Sequence, residues 1–491
     1  MKQPNIIFIT TDTQGREMLS CYVDRPGVDT PSLDRMAQSG VLFENAFTSC
    51  PLCTPARGSW YSGLHPNRNG AWCNNVTMRR GVPLLPELLS AQGYRTKHLG
   101  KWHLDGGSYN GNGKADGGFD EDTWYDISNY HAETADPEAT YPNRFKAWNL
   151  GIKDEKYCVG HCLADRAIDM LKTVPSQEAP LFLAVEFDEP HGPYIAPPPF
   201  RGRNPYESLY RPPTLNADMS GKPRIQQEWS SFLLKAQNNP EDLPAYYSKY
   251  YDTNSYVDYE IGRVLDAVET YCGDNTVVIF TSDHGDHLGA FGLRAKGLTM
   301  YDHTTAVPLI VRAPGMIQGG RREKGLVSSV DIWATIMDLA DVSLDGRHFG
   351  SANGYTCRSL LPALRGETDT LRDDVIIEFN RFGVWHKQNE GLYPIRCIRT
   401  HEWKLAINLF DRDELYDLKN DPDEARNLID SEDTAAIRDE LHGRILAWQE
   451  ETRDPFRGRC WEEREWSSLD HEFEGLFTTG WKDEWEAEVF N

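Results

Sequence analysis

The sequence predicts an α/β protein: a large, mostly parallel sheet sandwiched by helices, followed by a smaller α+β unit. Three observations predict it. Apolar, β-branched runs alternate with helical stretches over the first three quarters of the chain. Several of those runs end on polar or charged residues, as strands do where a ligand sits beyond their carboxyl ends. After about residue 372 short strands crowd together without helices between them.

The elements follow in order. Residues 5–11 form a buried strand that delivers Asp12 at its end. Thr30-Pro31 opens a helix, Thr as N-cap and Pro in the first turn, and Gly40 closes it. Residues 84–92 are helical and stopped by Gly93; residues 94–99 form a strand leading into Gly100-Lys101-Trp102-His103. Residues 105–150, rich in Gly, Asp, Asn and aromatics, are expected to form a long decorated loop. A helix over 160–173, a strand over 181–187 running into Asp188-Glu189-Pro190-His191, and a Pro-rich irregular stretch to about residue 213 come next. A long helix over 245–271, a strand over 276–280 ending in Thr281-Ser282-Asp283-His284-Gly285, and a strand over 307–311 complete the first unit, residues 1–372. The second unit, residues 373–491, has strands at 374–379, 395–400 and 403–409, a helix over 435–450, and an acidic, Trp-rich extension.

At 491 residues and 39% hydrophobic, the chain can bury a large core. The formal charge of -24 argues against nucleic acid and anionic membranes as partners, while leaving room for a small anion in a locally basic pocket. No apolar run reaches the length of a membrane span. Met1-Lys2-Gln3-Pro4 leads straight into the first strand with no signal-peptide pattern, so a cytoplasmic location is expected, or a periplasmic or secreted one if a leader has been trimmed. The ten cysteines are scattered; Cys50-x-x-Cys53 and Cys158-x-x-x-Cys162 lack the second pair or close His that a zinc site needs.

The sharpest local feature is Cys53-Thr54-Pro55-Ala56-Arg57. Pro55 suits a first helical turn, which puts Cys53 at a helix N-terminus where negative charge is favoured. Arg57 lies one turn on, on the same face. The residues alone describe a nucleophile in an anion-binding turn, or equally a capped helix with a buried cysteine.

Cys-x-Pro-x-Arg resembles the signature of type I, formylglycine-dependent sulfatases of the alkaline phosphatase-like superfamily. The resemblance extends through Asn45-Ala46-Phe47, Ser62-Gly63-Leu64-His65-Pro66, Gly100-Lys101-Trp102-His103, Pro4-Asn5 with Asp12, Thr281 to Gly285, and the segment Glu414 to Leu428, all in family order. It runs from residue 4 to about 430 and looks nearest the bacterial YidJ-like branch. It implies that a formylglycine-generating enzyme converts Cys53 to an aldehyde whose hydrate attacks sulfur. It implies a cation, Ca²⁺ with Mg²⁺ or Mn²⁺ as alternatives, held by Asp12, Asp283, His284 and the converted Cys53. Arg57, Lys101 and Lys296 are the expected fixed cations, and His103 and His191 the acid/base groups, His191 for the leaving alcohol.

Two departures matter. Many sulfatases carry two adjacent aspartates where this chain has Asp12-Thr13, and the common Asn after the late Asp is His284. That pattern also resembles choline sulfatases and phosphonate monoester hydrolases. Sulfate-ester hydrolysis on a sulfated sugar is therefore the expectation; phosphonate or phosphate ester hydrolysis, or a silent binding protein on the same fold, are the alternatives. Asn380, Arg381 and His386, in the second unit, are the expected substrate contacts. Sequence sets no oligomeric state.

Overall fold

The computed structural model describes residues 3–134, 155–237, 242–342, 354–384 and 391–467. Among them eight strands form the larger sheet: β1 (Asn5–Thr11), β2 (Val41–Phe47), β3 (Arg95–Gly100), β4 (Tyr125–Asp126), β5 (Leu181–Glu186), β6 (Thr276–Ser282), β7 (Leu309–Arg312) and β8 (Arg321–Ser328). Their order is β4-β3-β5-β1-β6-β7-β2-β8. All pairings are parallel except those of β7, which runs antiparallel to β6 and β2. The reversal of β7 has a simple cause. The link from β6 starts and ends at the carboxyl edge and carries only short helical turns, such as Asp302–Thr305, so it makes no crossover of the kind a parallel return needs.

Side chains alternate across the sheet with the strand period of two. Ile6, Phe8, Phe182, Ala184, Val277 and Ile279 face one core, which also holds Trp60, Tyr61, Trp102 and Trp333. Ile7, Ile9, Leu183, Val185, Val278 and Phe280 face the other, with Leu163, Tyr250 and Ile261. The helices that supply these layers are α1 (Pro31–Ser39), α2 (Cys53–Ser62), α3 (Leu85–Ala91), α4 (Val159–Leu171), α5 (Asp242–Tyr271) and α6 (Asp331–Leu339). At α1 the expected cap is corrected. Thr30 makes no side-chain cap; its hydroxyl accepts from the Ser20 N–H instead. Asp258 on α5 takes the free N–H groups of Ser32 and Leu33 at 3.0 and 2.9 Å. A buried carboxylate from a packed helix has replaced the local cap.

Part of the expected loop over 105–150 is ordered structure, with β4 and a helix at Ile127–Glu133. Periodicity also missed β2 and α6, whose runs are short and largely buried, and β8, an edge strand that opens on charged residues. The smaller sheet is antiparallel, in the order β12-β11-β10-β9, with β9 (Val375–Phe379), β10 (Ile395–Arg399), β11 (Trp403–Asn408) and β12 (Glu414–Asp417). One face packs on α7 (Ala435–Glu451) through Ile398, Leu405, Ile407, Leu441 and Ile445. The other meets Phe47, Leu52 and Leu326 of the larger unit through Val375, Ile377 and Cys397. His386 and the part of the Trp-rich extension beyond residue 467 lie outside the described residues; Trp466, before it, donates to Asp413 Oδ2 at 2.8 Å.

Gly63 ends α2 in the left-handed region at φ 71. A Cβ there would lie 2.6 Å from the Trp333 ring, so the chain turns only because no side chain is present. Gly63→Ala is expected to cost about 2–4 kcal/mol by combined strain and overpacking, seen as a lowered Tm or loss of soluble protein. An unchanged Tm would show that the Trp333 contact is loose.

Candidate active site

Asp12 follows β1, Asp283 and His284 follow β6, Lys101 and His103 follow β3, and Asp188 and His191 follow β5. These four strands are neighbours, so the segments emerge side by side at one edge. Cys53 reaches the same edge as the first residue of α2. The Thr54 N–H, in the first turn, donates to Asn74 Oδ1 at 3.0 Å, which pins that end of the helix.

Around Cys53 Sγ stand Lys296 Nζ at 3.2 Å, His284 Nε2 at 3.4 Å and Asp12 Oδ1 at 3.8 Å. Burial and Asp12 push the thiol up, but Lys101, Lys296 and a hydrogen bond with His103 outweigh them and hold it well below the ordinary thiol range. Asp12, Cys53, Asp283 and His284 each turn one ligand atom into a cluster no wider than 4.8 Å. All four are buried. His284 Nε2 is 3.5 Å from Asp283 Oδ1, and its Nδ1 lies 2.9 Å from the Gly285 carbonyl, which aims Nε2 at the cluster. Burial and the nearby Asp12 raise the Asp283 carboxyl to about 7. Burial would raise Asp12 too; Lys101 and Lys296 reverse it and keep Asp12 ionised. Two facing carboxylates with one imidazole are a donor set that fits a hard divalent cation.

The expected cations separate into two kinds. Lys296 is close to Cys53 and lines a cavity of about 400 Å³ with Thr13, Asn75, His103, Tyr109, His191, Tyr194 and Phe382. Arg57 is wholly buried behind the cluster. Its Nη2 lies 3.3 Å from both Asp12 Oδ2 and Asp283 Oδ2, and its Nη1 pairs with Glu186 and donates to the Lys101 carbonyl at 2.9 Å. Arg57, expected as a fixed cation of the site, clamps the carboxylates from behind. Lys101 Nζ donates to Asp12 Oδ2 at 2.5 Å and Asp188 Oδ1 at 3.2 Å.

His103 Nε2 and Asn75 Oδ1 are 2.8 Å apart. The His103 backbone sits at φ 58, and its carbonyl accepts from Thr54 Oγ1 at 3.0 Å, so a strained residue is tied to the helix that carries Cys53. His191 Nε2 is 3.9 Å from Asp12 Oδ1. Burial and Lys296 lower its pKa to about 4.

Thr13 shows what stands where a second carboxylate is common. Its hydroxyl donates to Asp12 Oδ1 at 2.6 Å and accepts from Lys296 Nζ at 3.3 Å, and its N–H donates to Asp283 Oδ1 at 3.0 Å. It links the cation to the carboxylates.

The expected substrate contacts fare differently. Asn380 is 1% exposed and its Oδ1 accepts from Arg396 at 2.9 Å. It braces β10 and does not line the cavity. Arg381 is half-buried and also absent from the lining, where Phe382 appears instead. Asn74, Asn75, Tyr109, Tyr194 and Asp286 are site residues that the motifs did not flag. An Asn-Asn pair, with Asn75 at φ 63, was the one local signal available, since asparagine tolerates that region.

Comparison with known proteins gives the family. The profile of the family described as Sulfatase matches residues 4–342, and that described as N-sulphoglucosamine sulphohydrolase, C-terminal, matches residues 289–451. The chain is 35% identical to the uncharacterized sulfatase YidJ of Escherichia coli (strain K12), over 95% of this chain and 91% of the relative. It is 26% identical to an N-acetylglucosamine-6-O-sulfatase of Bacteroides thetaiotaomicron, over 92% and 87%. Among solved structures, the phosphonate monoester hydrolase of Agrobacterium radiobacter superposes with a TM-score of 0.72 at 23% identity, over 91% of this chain and 95% of that one. With its carboxylate cluster, its Cys53 turn and these matches across nearly its whole length, the chain belongs to the sulfatase family of alkaline phosphatase-like fold and is a sulfuric ester hydrolase.

Proposed function

We propose that this chain removes an O-sulfate from a sulfated sugar, using Cys53 converted to formylglycine by a separate maturation enzyme. The observation that carries the reading is the position of Cys53 Sγ, 3.2 Å from Lys296 Nζ and 3.8 Å from Asp12 Oδ1, inside the four-donor cluster. Oxidised and hydrated, Cys53 would offer a geminal diol, one hydroxyl to attack sulfur and the second to expel sulfate once deprotonated. A divalent cation, Ca²⁺ on the oxygen-rich donors, would be held by Asp12, Asp283, His284 and the converted side chain, supplying positive charge where sulfate oxygens gather.

The chain's own groups account for the rest. Lys296 is raised above the ordinary lysine value: burial lowers it, and Cys53 and Asp12 more than reverse that. It stays protonated beside the nucleophile and opposes charge that builds on the nonbridging oxygens. Lys101 opposes the same charge from the β3 side. His103, close to Cys53, is placed to take the proton of the second hydroxyl. His191 is neutral before substrate arrives; an anionic ester favours its protonated form, ready to protonate the leaving oxygen. Tyr109, Tyr194 and Phe382 give the cavity aromatic walls and Asn75 an amide, a mixture suited to sugar rings and hydroxyls. Thr13 in place of a second carboxylate favours a second reading, phosphonate or phosphate ester hydrolysis.

Three measurements test this. First, in cells with the maturation enzyme, the peptide around Cys53 is expected about 18 Da lighter than encoded, and Cys53→Ala to lose roughly 10⁴-fold in turnover. A higher kcat/KM for a phosphonate ester than for sulfate esters would favour the second reading. Second, chelation is expected to lower Tm by a few degrees and Ca²⁺ to restore it, by linkage; Asp283→Ala should abolish that response. Third, His191→Ala should slow an alkyl sulfate about 100-fold and 4-nitrophenyl sulfate less than about 10-fold, because a good leaving group needs no acid. Equal losses on both esters would remove His191 from that role.

A further inference from the structure

Tyr109 lies in the connection between β3 and β4, outside every motif that marks the site, yet it touches several groups of the site. Its ring centroid is 3.7 Å from the Lys101 ammonium, 5.1 Å from the His103 ring and 5.2 Å from the His191 ring. Its hydroxyl donates to Asp188 Oδ1, the same oxygen that accepts from Lys101 Nζ at 3.2 Å. The ring is half-buried and forms part of the cavity wall.

We propose that Tyr109, acting with Asp188, is a positioning residue that holds Lys101 for sulfate-ester hydrolysis and sets the width of the slot between His103 and His191. A lysine ammonium is a point charge on a four-carbon stem, with three donors and no preferred direction of its own. Asp12 alone, at 2.5 Å, would let it swing about one contact. Asp188 supplies a second contact from the β5 side, and the Tyr109 ring lies over the ammonium as a third, by cation–π attraction. Three contacts restrain the ammonium more than one does. The phenol in turn holds Asp188, so that carboxylate cannot follow Lys101 if it moves. An offset of about 1 Å in a charge aimed at a transition state costs on the order of 100-fold. Because the same ring stands against both imidazoles, its bulk also limits what can enter between them.

The inference rests on the reading of Lys101 as a charge that serves the sulfate group, and the experiment separates the two. The matured, Ca²⁺-loaded full chain is assayed on 4-nitrophenyl sulfate as wild type, Lys101→Ala, Tyr109→Phe, Asp188→Asn, Tyr109→Leu and the Tyr109→Phe/Asp188→Asn double variant. Tyr109→Phe and Asp188→Asn are each expected to lower kcat about 10-fold with KM within about twofold, and the double variant to be no worse than the poorer single, since both break one shared contact. Tyr109→Leu should fall further and shift KM as well, because the wall is gone. Thermal midpoints should match wild type. Singles within about twofold of wild-type kcat, losses that multiply in the double variant, or losses that follow a fall in Tm for Tyr109→Phe would each overturn the proposal. If Lys101→Ala itself keeps wild-type kcat, the reading beneath it fails; if Lys101→Ala falls about 100-fold while Tyr109→Phe and Asp188→Asn do not, only the present inference fails.

Discussion

A single buried guanidinium governs the geometry of this site. Arg57 cannot shed its charge, so wherever it is buried carboxylates must meet it. Asp12, Asp283 and Glu186, from the ends of β1, β6 and β5, do so. One turn further along α2, Tyr61 donates to the other oxygen of Glu186. The helix that carries Cys53 is therefore fastened to three adjacent strands by charge, and the distance from Cys53 to the donor cluster follows from that fastening. Losing one partner would strand the others in a medium that does not solvate them, a cost of about 3–5 kcal/mol.

The smaller sheet serves the same end from the other side. Its β9 strand donates the Glu378 N–H to the Ser49 carbonyl at 2.9 Å, and Glu378 Oε1 accepts from the Asn67 N–H at 2.6 Å. Ser49 precedes the Cys53 turn and Asn67 follows α2, so the second unit grips both flanks of the helix. Val375, Ile377 and Cys397 pack on Phe47 and Leu52, on the stretch of chain that leads into Cys53. Phe382, just past β9, then reaches the cavity wall. The C-terminal part of the chain thus belongs to the site's construction as much as to its rim.

Much of this was legible in the residues. Polar residues placed just beyond buried strands, Asp12, Asp283 and His191 among them, announced a carboxyl-edge site because ligands of such sheets bind beyond the carboxyl ends of the strands. Cys53-x-Pro-x-Arg57 announced a helix start because proline and spacing act locally. What stayed hidden depends on contacts far apart in sequence. The cap of α1 comes from Asp258, more than two hundred residues away, and no local pattern reports it. Arg57 was visible as a fixed cation, while its three carboxylate partners, from three separate strands, were not. Asn380 looked like a sugar ligand for the same reason, until Arg396 claimed it. Tyr109 lay in a stretch read as loop, where aromatic content alone says nothing of direction.

The sheet order has a consequence in time. β1, at the start of the chain, pairs on one side with β6, Asn5 opposite Thr276, and both Asp283 and Lys296 come later still. More than two hundred residues separate Cys53 from that strand. A ribosome adding roughly 5–20 residues per second needs on the order of 10–45 seconds to make them. For that interval the Cys53 turn exists without the strand, the lysine or the second sheet that will bury it. The order in which the chain is made thus gives any enzyme that must handle Cys53 an opening that the finished fold closes.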